Sequence, residues 1–405
     1  MRMTRPARAR VETLREDSTA TTLELFFDLV FVFALTQVTA LMAANVSTHT
    51  LLNGMLVLAV VWWCWVGYSW LSNVVKADEG VARVAILVAT TAMFMIALAI
   101  PEAFEDLPGG LPGPTVFALG YLVLRLTHVV LFLMVSGNDA ALRRQVLRFV
   151  PTMLGGTTLL LIAAQTSGTA QTLLWGAAVV ADYGGTLAIG SKGWRINSAK
   201  HFAERHGLII IVAIGESVVA IGVGVTDLPI SWPIVIAAAF GLTVSASLWW
   251  AYFDTAALLA EKALSRHRGE QRVATARSAY TYLHLPMIMG IVGVALGLKK
   301  VLEYVGDTEH HTLSDKLKGV PLWAMYGGAA LYLLAHVAFA KRTYGHAKIQ
   351  RLVVAVVIVA VIPLAANWPA LLSLGVLAGL LAGLNLYEAL HFAADRDEIR
   401  HAEHE

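Results

Sequence analysis

Long apolar runs alternate with short polar segments along almost the whole chain. Each run is about 20 residues long, the length that an α-helix needs to cross the hydrocarbon core of a bilayer. The pattern therefore predicts an all-α membrane protein with about twelve transmembrane helices, over residues 23–44, 50–75, 81–104, 114–136, 146–166, 170–190, 203–225, 231–258, 273–298, 320–340, 347–366 and 369–391.

The composition agrees with this pattern and narrows the possible functions. Of the 405 residues, 57% are hydrophobic and 14% are charged, whereas soluble domains carry about 25% charged residues. A soluble enzyme fold is therefore excluded, and a net charge of +2 without a basic stripe gives no sign of a nucleic-acid partner. We expect the partners to be membrane lipids and an unknown small molecule or ion. The single cysteine, Cys64, cannot form an internal disulfide, and we expect no cofactor.

Lysine and arginine are concentrated in alternate loops, as the positive-inside rule describes for cytoplasmic segments. With the N-terminus inside, the predicted cytoplasmic segments hold 25 of the 30 Lys and Arg residues, so both termini are predicted to be cytoplasmic. The polar, Arg-rich N-terminal segment is unlike a cleaved signal peptide. The predicted organisation is a basic tail (1–22), a first six-helix half (23–190), a cytoplasmic linker (191–202), a second six-helix half (203–391) and a tail (392–405).

The two halves resemble each other at corresponding positions. Residues 29–37 align with 208–216, which places Gln37 opposite Glu216, and the Trp-rich segment 62–65 aligns with 249–252. Six helices in each half would make the halves parallel repeats, related by an axis along the membrane normal, as in some transporters. The sequence thus predicts an internal duplication.

Three segments resemble motifs of the bacterial low temperature requirement A family, in the order expected for that family. They read ELFFDLVFVFALTQ from Glu24, ERHGLIIIVAIGES from Glu204 and HLPMIMG from His284. The resemblance extends over about residues 23–391 and implies a polytopic protein of the bacterial inner membrane. It implies little chemistry, but it places the polar residues of the family motifs at Glu24, Asp28, Glu204, Arg205, Glu216 and His284.

Charged side chains inside transmembrane helices are costly and are therefore candidates for function. Glu24 and Asp28 are one turn apart on one face of the first helix, where two close carboxylates could share a proton. The alternative is structural: Glu24 occupies the first turn, where the helix dipole favours an acid, and Asp28 pairs with Arg83 or Arg277. Glu216 lies about 18 Å deeper than Glu204 along the seventh helix and is the sharpest candidate for binding a proton or substrate. It could instead join two helices as a neutral, hydrogen-bonded acid.

The fourth helix carries Arg125 and His128 on one face, and a buried arginine stays charged and needs an acid. We interpret Glu216 as its partner, although other acids of the chain could also serve. The complete set of candidates for binding protons or substrate is Glu24, Asp28, Arg125, His128, Asp182, His201, Glu204, Arg205, Glu216, Asp254, His284 and Glu388. Trp249, Trp250 and Tyr252 are interpreted as an interfacial belt.

No metal site is predicted. His201 and Glu204, and likewise Glu388 and His391, are three residues apart at helix ends, but the first set lacks the adjacency of H-x-x-E-H and the second stands alone.

Three functions remain open from the sequence. The first is a proton-coupled transporter or permease for a small solute, with Glu216 and Asp28 carrying the proton. The second is a membrane-embedded enzyme acting on a lipid or isoprenoid head group at the cytoplasmic side, with a cluster of Glu24, Asp28, Asp182, His201, Glu204, Asp254, Arg277, Glu388 and His391. The third is a structural or sensory protein in which the His310/His311 loop acts as the sensor.

Overall fold

The computed structural model describes residues 14, 16, 18–137, 139–226 and 228–393, and these residues are mainly helical. An isolated β-bridge pairs Lys316 with Pro369. The helices are α1 (Thr22–Ala44), α2 (Thr48–Ser72), α3 (Gly80–Ala99), α4 (Gly113–Ser136), α5 (Ala140–Ala163), α6 (Gly168–Ile189), α7 (Ala199–Val223), α8 (Trp232–Phe253), α9 (Ala256–Arg266), α10 (Gly269–Thr275), α11 (His284–Gly306), α12 (Val320–Tyr344), α13 (Ile349–Ala365) and α14 (Ala370–His391).

Eleven helical stretches of the described chain are long and apolar enough to cross a membrane. The remaining predicted run, 347–366, corresponds to α13, which has 17 residues and is therefore about 25 Å long. Because the hydrocarbon core of a bilayer is about 30 Å thick, α13 is a short span. The prediction of an all-α membrane protein with about twelve transmembrane helices is confirmed. The predicted terminal tails lie largely outside the described residues.

The eighth and ninth predicted runs are parts of longer helical stretches. The eighth run covers α8 and continues into α9, and the ninth belongs to a stretch from Gly269 to Gly306. This second stretch contains a π-helical segment, Ala276–Tyr282, immediately before His284 begins α11. Such π-helical segments are frequent at functional sites because they displace the side chains that follow them.

One compact unit consists of the described parts of residues 1–37, 59–205 and 268–274. In this unit α3 packs against α4, α4 against α5, and α5 against α6. Each of these helices exposes large apolar residues on its other side, including Leu87, Leu119 and Val180. That arrangement is typical of helices that face lipid, where exposed apolar surface carries no cost.

A second compact unit consists of the described parts of residues 38–58, 206–267 and 275–405. Its centre is α11, which is buried continuously from Gly290 to Leu298. α11 packs most closely against α12, where a β-carbon on Gly290 would lie 2.5 Å from the backbone oxygen of Gly328. Glycine is therefore required at position 290, the last residue of the third family motif, because the two backbones approach each other directly.

The predicted division into halves at residues 23–190 and 203–391, and the duplication relating them, stay predictions. The two compact units are assembled from several chain segments each and provide no measure of repeat symmetry.

Candidate functional site

Four of the predicted residues form one buried group in the first unit, which we call the Arg205 cluster: Glu24, Asp28, His201 and Arg205. α1 places its two acids one turn apart, and α7 places its two basic residues one turn apart, so that the two polar faces meet. Arg205 Nη2 donates to Asp28 Oδ1 at 2.8 Å, and His201 Nε2 lies 2.9 Å from Glu24 Oε1. The cluster has almost no exposed surface.

Glu24 is bonded on both carboxylate oxygens. The backbone N–H and the hydroxyl of Thr21 donate to Oε2 at 2.7 and 2.9 Å, while His201 and Arg205 approach Oε1. The Thr21 hydroxyl also accepts from the Glu24 N–H, so the two residues form a capping box at the start of α1. Glu24 therefore takes part in capping the first turn of α1, and its functional role stays a prediction.

Asp28 differs from Glu24 because one of its carboxylate oxygens accepts no hydrogen bond from the described residues. Its Oδ1 accepts from Arg205 and from the indole N–H of Trp65, both at 2.8 Å. Among the described residues, no donor makes a hydrogen bond to Oδ2, although the side chain is buried. The predicted partners of Asp28 were Arg83 and Arg277, and both are wrong, because Arg205 takes this place and Arg83 donates to the backbone oxygen of Asp78.

Sequence reasoning missed Asn73, which follows α2 and contacts the cluster. Asn73 Nδ2 lies 3.2 Å from His201 Nδ1, on the side of the ring opposite Glu24. A neutral amide just after a helix gives no signal in a hydropathy pattern, so only the tertiary structure reveals it. Glu204, also predicted, lies beside the cluster and accepts from the backbone N–H of Ala20 at 3.1 Å.

A second buried group in the first unit joins α4 and α6. Arg125 Nη2 donates to Asp182 Oδ1 at 2.9 Å, and the hydroxyl of Tyr121 donates to the other oxygen of Asp182. The predicted pairing of Arg125 with Glu216 is therefore wrong, because Asp182 is the acid that α6 brings to the guanidinium. A β-carbon on Gly156 would lie 2.9 Å from Asp182 Oδ2, so the absence of a side chain there makes room for the pair.

His128 lies near this pair on α4, as predicted, and is buried among aromatic rings. Its ring packs edge-on against Phe132, with 4.9 Å between the centroids, and lies 5.6 Å from the ring of Tyr68. The described surroundings of His128 are therefore largely aromatic.

The second unit contains a buried ion pair at the ends of α13 and α14. Arg351 donates from Nε and Nη2 to the two oxygens of Glu388, at 2.8 and 2.6 Å, in a bidentate arrangement. Lys348 and Gln350 also donate to Glu388, and Arg351 Nη1 contacts His336 at 2.8 Å. Glu388 was predicted as a site residue, whereas Arg351, which was not among the predicted candidates, is almost completely buried.

The other predicted residues of the second unit are also buried. Glu216 lies midway along α7, and Asp254 follows α8. His284 accepts a hydrogen bond from the hydroxyl of Tyr252 when its Nδ1–H donates to the backbone oxygen of Ala279, at 2.9 and 3.2 Å respectively. Tyr252 is therefore a core residue and its assignment to an interfacial belt is wrong, while Trp249 and Trp250 are exposed.

The His310/His311 loop, between α11 and α12, is held by its own acids. His310 Nδ1 lies 2.9 Å from Asp307, and His311 Nδ1 lies 3.2 Å from Asp315. Hydrogen bonds from the hydroxyl and the backbone N–H of Thr312, followed by the contact with His311, lower the pKa of Asp315 below its ordinary value of 3.8. The loop thus depends on the ionised form of this exposed carboxyl group.

We expect the local order of this loop to decrease in acid. Because the pKa of Asp315 is lower in the folded loop, its stabilisation is present above the ordinary pKa of 3.8 and is lost as the pH falls through the lowered value. Amide hydrogen exchange at Thr312, corrected for the intrinsic effect of pH, should therefore accelerate in that range. Asp315→Asn should exchange rapidly at neutral pH and lack the acid transition; an unchanged profile would contradict this assignment.

The fold and the buried polar groups define a class first: a multi-pass helical membrane protein whose interior retains ionisable side chains. Comparison with known families then places it more closely. A model of the family described as bacterial low temperature requirement A protein (LtrA) matches residues 19–386, and the chain belongs to that family, as the three motifs indicated.

A similar protein adds no function to this placement. The chain is similar to the uncharacterized protein RA0937 of Rhizobium meliloti (strain 1021), with 28% identity over 298 residues that cover 68% of this chain and 67% of the relative. No solved structure matches the chain.

Proposed function

We propose that this protein is a proton-coupled secondary transporter for a small solute, in which Asp28 binds and releases the coupling proton. Support comes from its class, because transporters of this kind keep a few ionisable groups in an otherwise apolar helical bundle. We also propose that it lies in the bacterial cytoplasmic membrane with both termini in the cytoplasm, in accordance with the distribution of Lys and Arg.

The open oxygen of the Asp28 carboxylate is the observation on which the proposal rests. A buried carboxylate is costly in an apolar interior unless a cation or donors compensate it, and here both Arg205 and Trp65 act on Oδ1. A proton can bind to Oδ2 without breaking either of those hydrogen bonds, since no described donor occupies it. Asp28 can therefore exist in two protonation states within one set of contacts.

Glu24 is less suited to carry this proton. Its oxygens already accept hydrogen bonds from Thr21, and His201 and Arg205 approach the same carboxylate. Protonating Glu24 would disrupt the capping box that begins α1. We therefore assign the proton to Asp28 and a structural role to Glu24, and we retain Glu216 as a second proton-binding candidate.

The test is proton flux in liposomes that contain the purified protein and a pH-sensitive dye. A potassium gradient with valinomycin supplies the potential, and pooled amino acids, sugars and nucleosides are added as trial solutes. We expect flux for the wild type and its loss to the level of empty liposomes for Asp28→Asn, whose amide can keep the contact with Arg205. Asp307→Asn, the same change in an exposed loop, should behave as the wild type.

The outcomes separate the assignments. Flux that persists undiminished in Asp28→Asn overturns the role of Asp28, and wild-type liposomes without flux under every solute pool overturn the transporter. Glu216→Gln in the same assay tests the second candidate. Melting curves of each variant show whether a loss of flux reflects a loss of fold.

The alternative function, an enzyme acting on a lipid head group, has one observation in its favour. A groove of about 630 Å³ between α13 and α14, with Val353, Gly379 and Gly383 among its lining residues, leads to Gln350, which donates to Glu388. Lipid profiling of a deletion strain would reveal an accumulated substrate if this reading holds, and an unchanged lipid profile would remove it.

A further inference from the structure

The side chain of Asn73 has only one orientation that satisfies its surroundings. Its Oδ1 accepts from the backbone N–H groups of Asn197 and Ser198, at 2.7 and 3.2 Å, and its Nδ2 donates to the backbone oxygen of Ser198 at 2.7 Å. Rotating the amide by half a turn would place donors against donors and an acceptor against an acceptor, and would break all three hydrogen bonds. The network therefore fixes which end of the amide faces His201.

The end that faces His201 is the NH2 group. Asn73 Nδ2 lies 3.2 Å from His201 Nδ1 and can only donate, so Nδ1 must accept and carries no hydrogen. The ring hydrogen is then on Nε2, where it donates to Glu24 Oε1 at 2.9 Å. These two contacts match a neutral imidazole whose hydrogen is on Nε2.

The charges near His201 would not by themselves favour a neutral ring. Glu24 and Asp28 from α1 and Glu204 from α7 are acids, opposed by Arg205 as the nearby cation. A histidine beside a carboxylate ordinarily gains a proton and forms an ion pair. A second ring hydrogen on Nδ1 would, however, point at the NH2 group of Asn73, which cannot turn away.

We propose that Asn73 is a positioning residue that keeps His201 neutral, so that a proton entering the Arg205 cluster binds to Asp28 rather than to His201. The assignment of the proton to Asp28 rests on the proposed function, but the neutral state of His201 does not. His201 then serves as a fixed donor that holds Glu24, and a single carboxyl group of the cluster changes its charge.

The protonation state of His201 can be measured by NMR on the full-length protein in nanodiscs, with 15N-labelled imidazole rings. The chain has 13 histidines, so the His201 signals are assigned by their absence in His201→Gln. At neutral pH we expect one protonated and one unprotonated ring nitrogen for the wild type. Asn73→Asp replaces the donor by an acceptor and should give two protonated nitrogens, whereas the same substitution at Asn367, outside the cluster, should leave the signals unchanged.

An imidazolium at position 201 in the wild-type protein overturns the proposal, even if Asn73→Asp fails to fold. A folded Asn73→Asp with a neutral His201 overturns it as well. Proton flux separates this result from the proposed function. A neutral His201 without proton flux would overturn the transporter function and leave the proposed role of Asn73 intact. Proton flux with a charged His201 would overturn the role of Asn73 and leave the transporter function intact. If both hold, the dependence of flux on pH should differ between the wild type and Asn73→Asp, and this difference should be absent in Asn367→Asp.

Discussion

Replacing Arg125 by leucine is expected to lower the free energy of unfolding by about 3–5 kcal/mol, because it leaves the Asp182 carboxylate buried without its cation. Arg125 and Asp182 are both almost fully buried, with side chains 1% and 5% exposed, so water cannot replace the lost partner. The change is measured by denaturant titration of the purified protein in mixed micelles, with tryptophan fluorescence as the signal.

Two further variants identify the cause of the Arg125 effect. Arg125→Met combined with Asp182→Leu removes both charges and should recover most of the lost stability, since a buried ion pair is often no better than apolar packing. Arg195→Leu removes a largely exposed arginine that pairs with Asp139 and should cost about 0–1 kcal/mol. Equal effects of Arg125→Leu and Arg195→Leu would contradict the burial argument.

The second large effect is expected for Glu388→Leu. This change removes the acceptor of three side chains and leaves the cations of Arg351 and Lys348 close together. The loss should be about 3–5 kcal/mol or more, because like charges then face each other in a buried place. The same titration measures it.

Glu388→Gln distinguishes the contribution of charge from that of hydrogen bonding. The amide oxygen can still accept from Arg351 but carries no charge, so an intermediate loss is expected. Glu303→Leu, which removes the acid of a partly exposed pair with Lys300, serves as the control and should have little effect. If Glu388→Gln is as stable as the wild type, the charge of Glu388 is dispensable.

Much of the candidate site was predictable because its residues violate the apolar pattern. Glu24, Asp28 and Arg205 interrupt apolar helices, and helix geometry alone placed Glu24 and Asp28 on one face. The family motifs pointed to the same residues. The roles of these residues stay predictions until flux and stability are measured.

The partners of the buried charged side chains could not be predicted in the same way. Arg125 needs an acid, but Asp182 is 57 positions away in the sequence and several other acids met the same condition. Arg351 lies next to a polar connection and was not a predicted candidate, yet it is buried against Glu388. Asn73 is uncharged, so the cost of burying a charge, which identified the other candidates, did not identify Asn73.

The sequence by itself determined that this chain forms about twelve apolar helices in a membrane, because hydrophobic length and helix periodicity are local properties that each segment carries. It also determined which side chains are costly enough to need a partner. Only the tertiary structure decided which partner each one has, because the approach of α1 to α7, of α4 to α6 and of α13 to α14 depends on packing among distant segments. The open oxygen of Asp28 and the fixed amide of Asn73 are consequences of that packing.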